Sequence, residues 1–430
     1  LFTIAALFSA ITIIFLNRRN KVSLEATIFI ALLAVVSIVS NLLQSLDSVL
    51  IRGGGIGDVY ADRQMFTNVS EIFGLATLST FIGASIFSLL FQKRSINEIS
   101  FTSSLDNEIA EIKRPFEDKE DGLIALFILV SIVGFSYYLW QSFPLLLARS
   151  SYIWAIEKNG LVRNLHYYLP LVGVVAFYLL KSVAEKPIHK FMLFLIFIGS
   201  IFASFSSGSR VFSFQILVLT IILSISTSSQ FLRFVFAILG ISLCTFSLSL
   251  IVQFRYLPEH GLVPYLTALV NFSEPTNFQL SLVTGTFLLV IPITYLGSQL
   301  IPPEGMLWAQ VSPLPSNLSG WNFVSDALKL NEFTPSGGVA QIASLGTTTS
   351  LLFWLFIGAY LAFSGNIYSR FATIFTEIRL ISLALIVGSF LQFIQYSIRL
   401  GTRFLYLHLL ILIALALYLK IRKSKNKYQP

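Results

Sequence analysis

Of the 430 residues only Cys244 is a cysteine, which excludes both a disulfide framework and a cluster of thiolate metal ligands. Histidine is nearly as scarce. His166, His189, His260 and His408 are scattered, with no His-Glu-x-x-His pair, so no metal site and no cofactor are expected from the sequence. Charge is the third shortage: Asp, Glu, Lys and Arg make up 12% of the chain, about half the share of an ordinary soluble domain. Hydrophobic residues make up 55%, and that balance predicts a membrane protein. No internal repeat is evident.

The apolar residues gather in blocks suited to crossing about 30 Å of hydrocarbon as helices. Eleven spans are expected: Leu1 to Leu16, Ser23 to Leu46, Val69 to Phe91, Gly122 to Gln141, Tyr167 to Leu180, Phe191 to Phe205, Val211 to Ser226, Phe234 to Phe254, Thr347 to Phe363, Leu380 to Tyr396 and Phe404 to Leu419. The expected fold is an all-α polytopic membrane protein, with residues 1–430 as a single integral membrane domain. Because the chain opens inside an apolar run without Met, further residues or a processed signal are expected ahead of Leu1.

Orientation follows from basic residues, which are retained on the cytoplasmic side. Nineteen of the 29 Lys and Arg fall on one side of this layout, the tail KIRKSKNKYQP included. The C-terminus is therefore expected in the cytoplasm and the N-terminus outside. The tail carries five positive residues beside the last span and reads as a contact to anionic membrane lipid rather than nucleic acid. The segment from 92 to 121 carries eight acids against five bases and is expected to be a solvated surface element. The stretch SLVTGTFLLVIPITYLGSQLI, 281–301, is interrupted by Gly285, Pro292 and Gly297. It is expected to be re-entrant or interfacial, because irregular backbone at membrane depth needs protein or a water-filled cavity around it. Residues 255–346 then form one long, partly helical outer loop.

The outward-facing cations are mostly arginine: 52, 63, 149, 163, 210, 255, 399 and 403, against Lys158 and Lys329. Arginine stays charged and offers a planar fork of donors that meets phosphate oxygens in pairs. Four positions stand out. Arg210 closes FSSGSR in a short turn, Arg255 ends a span in QFRYLPEH, and Arg399 and Arg403 share QYSIRLGTRF. A helical continuation would put the last two on one face, whereas Gly401 also permits a bend. Arg149 and Arg163, in ARSSYIWAIEKNGLVRNLHYY, are second choices. Any one of these arginines is as readily explained by snorkelling to headgroups or pairing with an acid.

A base is sought near Arg255, where Glu259 and His260 follow within five residues; a carboxylate or an imidazole can accept a proton near neutral pH. Glu274, Asp326 and Glu332 are other acids of the same loop, and exposed loop acids are usually just solvated. Tyr152, Trp154, His166 and Tyr167 could stack on sugar rings, but an interfacial belt explains each alone. The glycines of RGGGIGDVYADR lack the Lys-Ser/Thr ending of a nucleotide-binding loop and read as a flexible outer loop.

Many spans, SGSR at a short outer turn, an arginine opening a long outer loop, FTPSGGVAQIASLGTTTSLL leading into the next span, and a late IRLGTRF together resemble the O-antigen and capsule repeat-unit polymerases (Wzy-type). In that family the late segment often reads Arg-Gly-aromatic; here Leu400 separates Arg399 from Gly401, which leaves open whether Arg399 or Arg403 has the matching role. The resemblance implies a GT-C-like membrane glycosyltransferase of the bacterial inner membrane with a periplasmic active site. Such an enzyme passes a growing glycan from undecaprenyl diphosphate to the next lipid-linked repeat unit, without a metal. Arg210, Arg255, Arg399 and Arg403, then Arg149 and Arg163, would bind the diphosphate, with Glu259 or His260 as base. Donor and acceptor are both lipid-linked oligosaccharides, and a chain-length regulator and a flippase are the expected protein partners. An O-antigen ligase shares the same layout. A flippase or secondary transporter is the reading without catalysis, disfavoured by the lack of a repeat and of a charged residue at any span centre.

Overall fold

In the computed structural model, residues 2–18, 23–46, 48–51, 59–95, 99–151, 160–182, 186–209, 211–225, 229–254, 257–270, 288–331, 334–371 and 376–426 are described. In chain order they form α1 (Phe2–Arg18), α2 (Leu24–Leu43), β1 (Ser48–Ile51), β2 (Val59–Asp62), α3 (Arg63–Ser95), α4 (Ile99–Leu147), α5 (Gly160–Ser182), α6 (Pro187–Ser206), α7 (Val211–Ile225), α8 (Gln230–Phe254) and α9 (Leu262–Val270). There follow α10 (Val290–Ser298), α11 (Met306–Val311), α12 (Trp321–Val324), α13 (Gly338–Ser344), α14 (Thr347–Phe371), α15 (Thr376–Gln395) and α16 (Ile398–Asn426). The described part of each of the eleven apolar blocks falls mainly on one helix. Among the described residues five stretches are long and apolar enough to cross a membrane: Leu24–Leu43, Arg63–Leu90, Ile124–Leu147, Pro187–Ser206 and Thr347–Tyr368.

Local chemistry sets several helix ends. Ser23 caps α2, its Oγ accepting from the Ala26 N–H at 3.3 Å, and Asp62 Oδ1 accepts from the Met65 N–H at 2.8 Å ahead of α3; both satisfy donors that the first turn leaves without partners. Pro187 opens α6, where a missing N–H costs nothing. Within α3, Thr77 and Thr80 return their hydroxyls to the carbonyls of Phe73 and Ala76, so polar side chains are carried into an apolar helix without leaving a donor exposed.

The chain divides into two compact units, Leu1–Ile109 with Gly285–Pro430, and Ala110–Thr284. In the first, α3 packs against α2 and α14. Gly83 of α3 and Gly358 of α14 make the closest approach: a Cβ on either would overlap a backbone carbonyl oxygen of the other helix, Leu355 or Thr80. Small residues let helices come together where lipid supplies no hydrophobic drive. Around that seam Phe29, Trp354, Phe390 and Phe393 form an aromatic core, with Phe29 and Phe390 edge-on at 5.7 Å and Trp354 and Phe393 at 5.6 Å.

Two segments carry regular structure that the sequence expectation did not include. The strands β1 and β2 pair antiparallel from Ser48↔Asp62 to Ile51↔Val59, so the glycine-rich stretch is flanked by a hairpin ladder; residues 52–58, Arg52 among them, lie outside the described residues. The charged segment is helical from Ile99 onward as the start of α4, since its Glu, Lys, Ile and Leu favour helix as readily as solvation. The described part of 281–301 contains α10, nine residues or about 13 Å, too short to cross. Its Val290, Ile291, Ile293 and Thr294 are buried within the first unit.

In the second unit α5 packs on α6 and α7, and α7 on α8. Tyr265 of α9 stacks on Phe254 at the end of α8, ring centroids 4.5 Å apart and nearly parallel.

Candidate functional site

Sequence candidates fall in both units. In the second, Arg149 follows the end of α4 and is 8% exposed. Its N–H and carbonyl exchange hydrogen bonds with those of His260, 2.8 Å each way. Its side chain then reaches the end of α6: Nη1 donates to the Ser206 carbonyl and Nη2 to that of Ser207, both at 2.9 Å, with a further bond from Nη1 to Leu145 at 3.2 Å. Those carbonyls belong to a helix C-terminus, where acceptors lack partners and the dipole favours a cation.

Glu259 and His260 separate at the turn. Glu259 is exposed, while His260 is 4% exposed, its Nδ1 3.4 Å from the Tyr265 hydroxyl. Burial, then the charge of Arg149, pushes the imidazole below its ordinary value, and a hydrogen bond to the Phe254 backbone opposes them. Gly261 makes the turn possible. Its φ is +118°, and a Cβ there would lie 2.7 Å from the Leu147 carbonyl oxygen, so only glycine fits.

Beside Arg149 lies a cleft of about 20 Å³ lined by His166, Pro170, Ser204, Ser207 and Ser209, room for one water rather than a sugar. The His166 Nδ1 lies 2.9 Å from the Tyr138 hydroxyl. That pair was not legible in the sequence, since 28 residues separate its members. Arg210 lies outside the described residues, although Ser209 and Val211 on either side line the cleft. Arg255, Glu274 and Glu332 also lie outside them, as does the side chain of Arg163, whose backbone is in the first turn of α5.

In the first unit Arg399 and Arg403 sit on the first turns of α16. The helix runs through Gly401, and the turn from α15 is reduced to Tyr396 and Ser397. A Cβ at Gly401 would press on the Phe393 ring at 2.6 Å. Arg399 is 2% exposed. Its Nη1 donates to the Ala309 carbonyl and its Nη2 to that of Leu314 at 2.7 Å, and its guanidinium lies 5.3 Å over the Trp321 ring. Thr402 Oγ1 donates to the Gln310 carbonyl at 3.3 Å and the Tyr406 hydroxyl to that of Val311. One stripe of α16, at positions 399, 402 and 406, thus takes up the last carbonyls of α11, again acceptors that a helix end cannot satisfy itself. Burial, then the charge of Arg403, lowers Arg399 to about 10, still a cation at neutral pH.

Both buried arginines are turned to the protein's own backbone. Arg149 gives its terminal nitrogens to the C-terminal carbonyls of α6 and Arg399 to a carbonyl in the last turn of α11 and to that of Leu314 beyond it, because a fork that fits two phosphate oxygens also fits two carbonyls. Arg403 differs: it is exposed. Asp326, one of the loop acids, is bound by Lys329 at 2.8 Å. Among the described residues no group of three His, Cys, Asp or Glu is arranged to hold a metal.

Comparison with known proteins adds no relative: no family model, no curated protein and no solved structure matches this chain.

Proposed function

We propose that the chain is a multi-pass membrane glycosyltransferase, a Wzy-type polymerase that joins undecaprenyl-diphosphate-linked repeat units at the periplasmic face of the bacterial inner membrane. In this reading all eleven apolar helices cross the bilayer, the C-terminus is cytoplasmic, and the product enters O-antigen or capsule. A hydroxyl of the incoming unit attacks the anomeric carbon of the growing glycan while a carboxylate base takes its proton. The bond from that carbon to the diphosphate oxygen breaks, and the electron pair leaves with the lipid diphosphate. Guanidinium donors aimed at that developing charge contribute about 3–4 kcal/mol each. A chain-length regulator and a flippase are the protein partners that accompany this role in our reading.

The observation that supports the reading most is the division of labour on α16. Arg399 anchors the 306–314 segment through its carbonyls, and Arg403, one turn on, keeps its guanidinium exposed for an anion. The test is a null strain complemented with Arg403→Lys or Arg255→Lys and scored by glycan ladder. Lys keeps the charge and loses the fork, so a ladder collapsed to one repeat unit on its acceptor is expected. Full-length ladders from both variants at normal expression overturn the reading, and loss of even the single unit points to a ligase.

One observation favours transport as a second reading. Glu25, close to a helix end in the sequence, is 2% exposed within the first unit, and buried acids among membrane helices mark ion pathways.

A further inference from the structure

Residues 305–325 hold no charged side chain, although Glu304 and Asp326 stand immediately on either side. The stretch contains α11, α12 and the connection between them, and it exposes Trp308, Leu314, Leu318 and Phe323, the last at 90%. Single exposed apolar side chains are ordinary. Four of them, on two helices that pack on each other and on one short connection, gather apolar surface of the kind that marks an interface.

The level of that surface is set by α16. Side chains drawn from about two turns of that helix, those of Arg399, Thr402 and Tyr406, take up the carbonyls of Ala309, Gln310 and Val311 at the end of α11. Tyr406 already belongs to the apolar block that opens at Phe404. Trp308 therefore lies beside the first turns of an expected span, exposed, while Met306, Ala309 and Gln310 of the same helix are buried. An indole is favoured at that level, where its ring meets acyl chains and its N–H meets headgroups and water. Lipid is what surrounds a membrane span there.

The backbone suits the same surroundings. The Ser312 N–H donates to the Trp308 carbonyl at 2.9 Å, and those of Leu318 and Ser319 donate to the Pro315 carbonyl at 3.0 Å. The Leu314 N–H donates to the Ser312 Oγ at 3.3 Å, and Pro313 and Pro315 have no N–H to satisfy. Four carbonyls, those of Ala309, Gln310, Val311 and Leu314, are taken by side chains of α16. Irregular backbone can approach hydrocarbon only where protein meets its polar groups.

We propose that residues 305–325 are an interfacial anchor, with Trp308, Leu314, Leu318 and Phe323 entering the boundary between headgroups and acyl chains of the leaflet at which α16 begins. Apolar faces of interfacial segments reach about 5–10 Å into that boundary. Glu304 and the Asp326–Lys329 ion pair flank the stretch and limit its depth, since charge stays in water. The proposal rests on the crossing of α16 in the reading above and not on glycosyl transfer.

The experiment uses the full chain in lipid nanodiscs, in a Cys244→Ala background, with nitroxide labels on Leu318→Cys and Phe323→Cys. Labels on Asp326→Cys, an exposed loop position, and Leu410→Cys, an exposed position within the span, give the aqueous and lipid references. At 318 and 323 the ratio of collisions with dissolved oxygen to collisions with a water-soluble nickel chelate is expected to exceed that at 326 several-fold. A ratio equal to that at 326 overturns the anchor, as do few collisions with either reagent, which would mean that a protein surface covers the patch. An aqueous ratio at 410 overturns the crossing of α16 together with the anchor. Should the Cys244→Ala chain fail to fold, lipid brominated on its acyl chains decides. The wild type is then expected to lose a component of tryptophan emission that Trp308→Phe does not lose, and equal quenching in the two overturns the proposal.

Discussion

The backbone N–H of Arg149 donates to the His260 carbonyl and the His260 N–H donates back, each at 2.8 Å, so the end of α4 and the turn ahead of α9 are tied by an isolated antiparallel bridge. From that bridge the Arg149 side chain extends to the last carbonyls of α6. Three separate stretches of the second unit depend on one residue.

Arg149→Ala is therefore expected to destabilise the protein by about 2–4 kcal/mol, the scale of charged hydrogen bonds lost at a helix C-terminus. Arg149→Lys restores the charge without the fork and recovers part of that loss. Thermal unfolding of the detergent-purified protein measures both, and an unchanged midpoint in Arg149→Ala would show that the cap contributes little.

His260 gives acid sensitivity. Its folded-state value lies below the ordinary one, so below about pH 6.5 the unfolded chain takes up a proton that the folded chain refuses, and stability falls as pH falls. Replacing the imidazole by a neutral amide in His260→Gln should flatten the midpoint profile between neutral pH and pH 5.

Arg399 and Arg403 are expected to separate by phenotype. Arg399→Ala removes the donors that hold the Ala309 and Leu314 carbonyls and should lower expression and thermal midpoint together. Arg403→Ala, at an exposed position, should leave the midpoint within about 0.5 kcal/mol of wild type while shortening the glycan ladder. Equal thermal loss in the two variants would contradict the distinction drawn between them.

Gly358→Ala tests the helix seam. Its methyl would overlap the Thr80 carbonyl on α3, which cannot swing aside as a side chain can, so a loss of about 1–3 kcal/mol is expected from overpacking. Gly122→Ala, where a Cβ meets nothing within 4 Å, is the matched control for the same chemical change.

The helices were largely legible because apolar blocks report their own secondary structure: the described part of each expected block lies mainly on one helix, from Phe2–Arg18 to Ile398–Asn426. The paired strands around residues 52–58 were not, since a four-residue ladder has too short a pattern to stand out among glycines. The candidate site was legible as residue types but not as roles. Arg149, Arg399 and Arg403 share charge, spacing and sequence neighbourhood, and only burial distinguishes the two that cap helix ends from the one that faces outward.

By itself the sequence determined a chain of long apolar helices, because hydropathy is a sum over neighbours and needs no partner to be read. Tertiary structure decided which polar groups meet. Ser382 lies 357 residues from Glu25 and 26 from His408, and no local pattern announces that they meet. The roles of Arg149 and Arg399 were settled the same way. A guanidinium takes whichever pair of oxygens the fold brings to it, and those oxygens belong to residues 57 to 90 positions away.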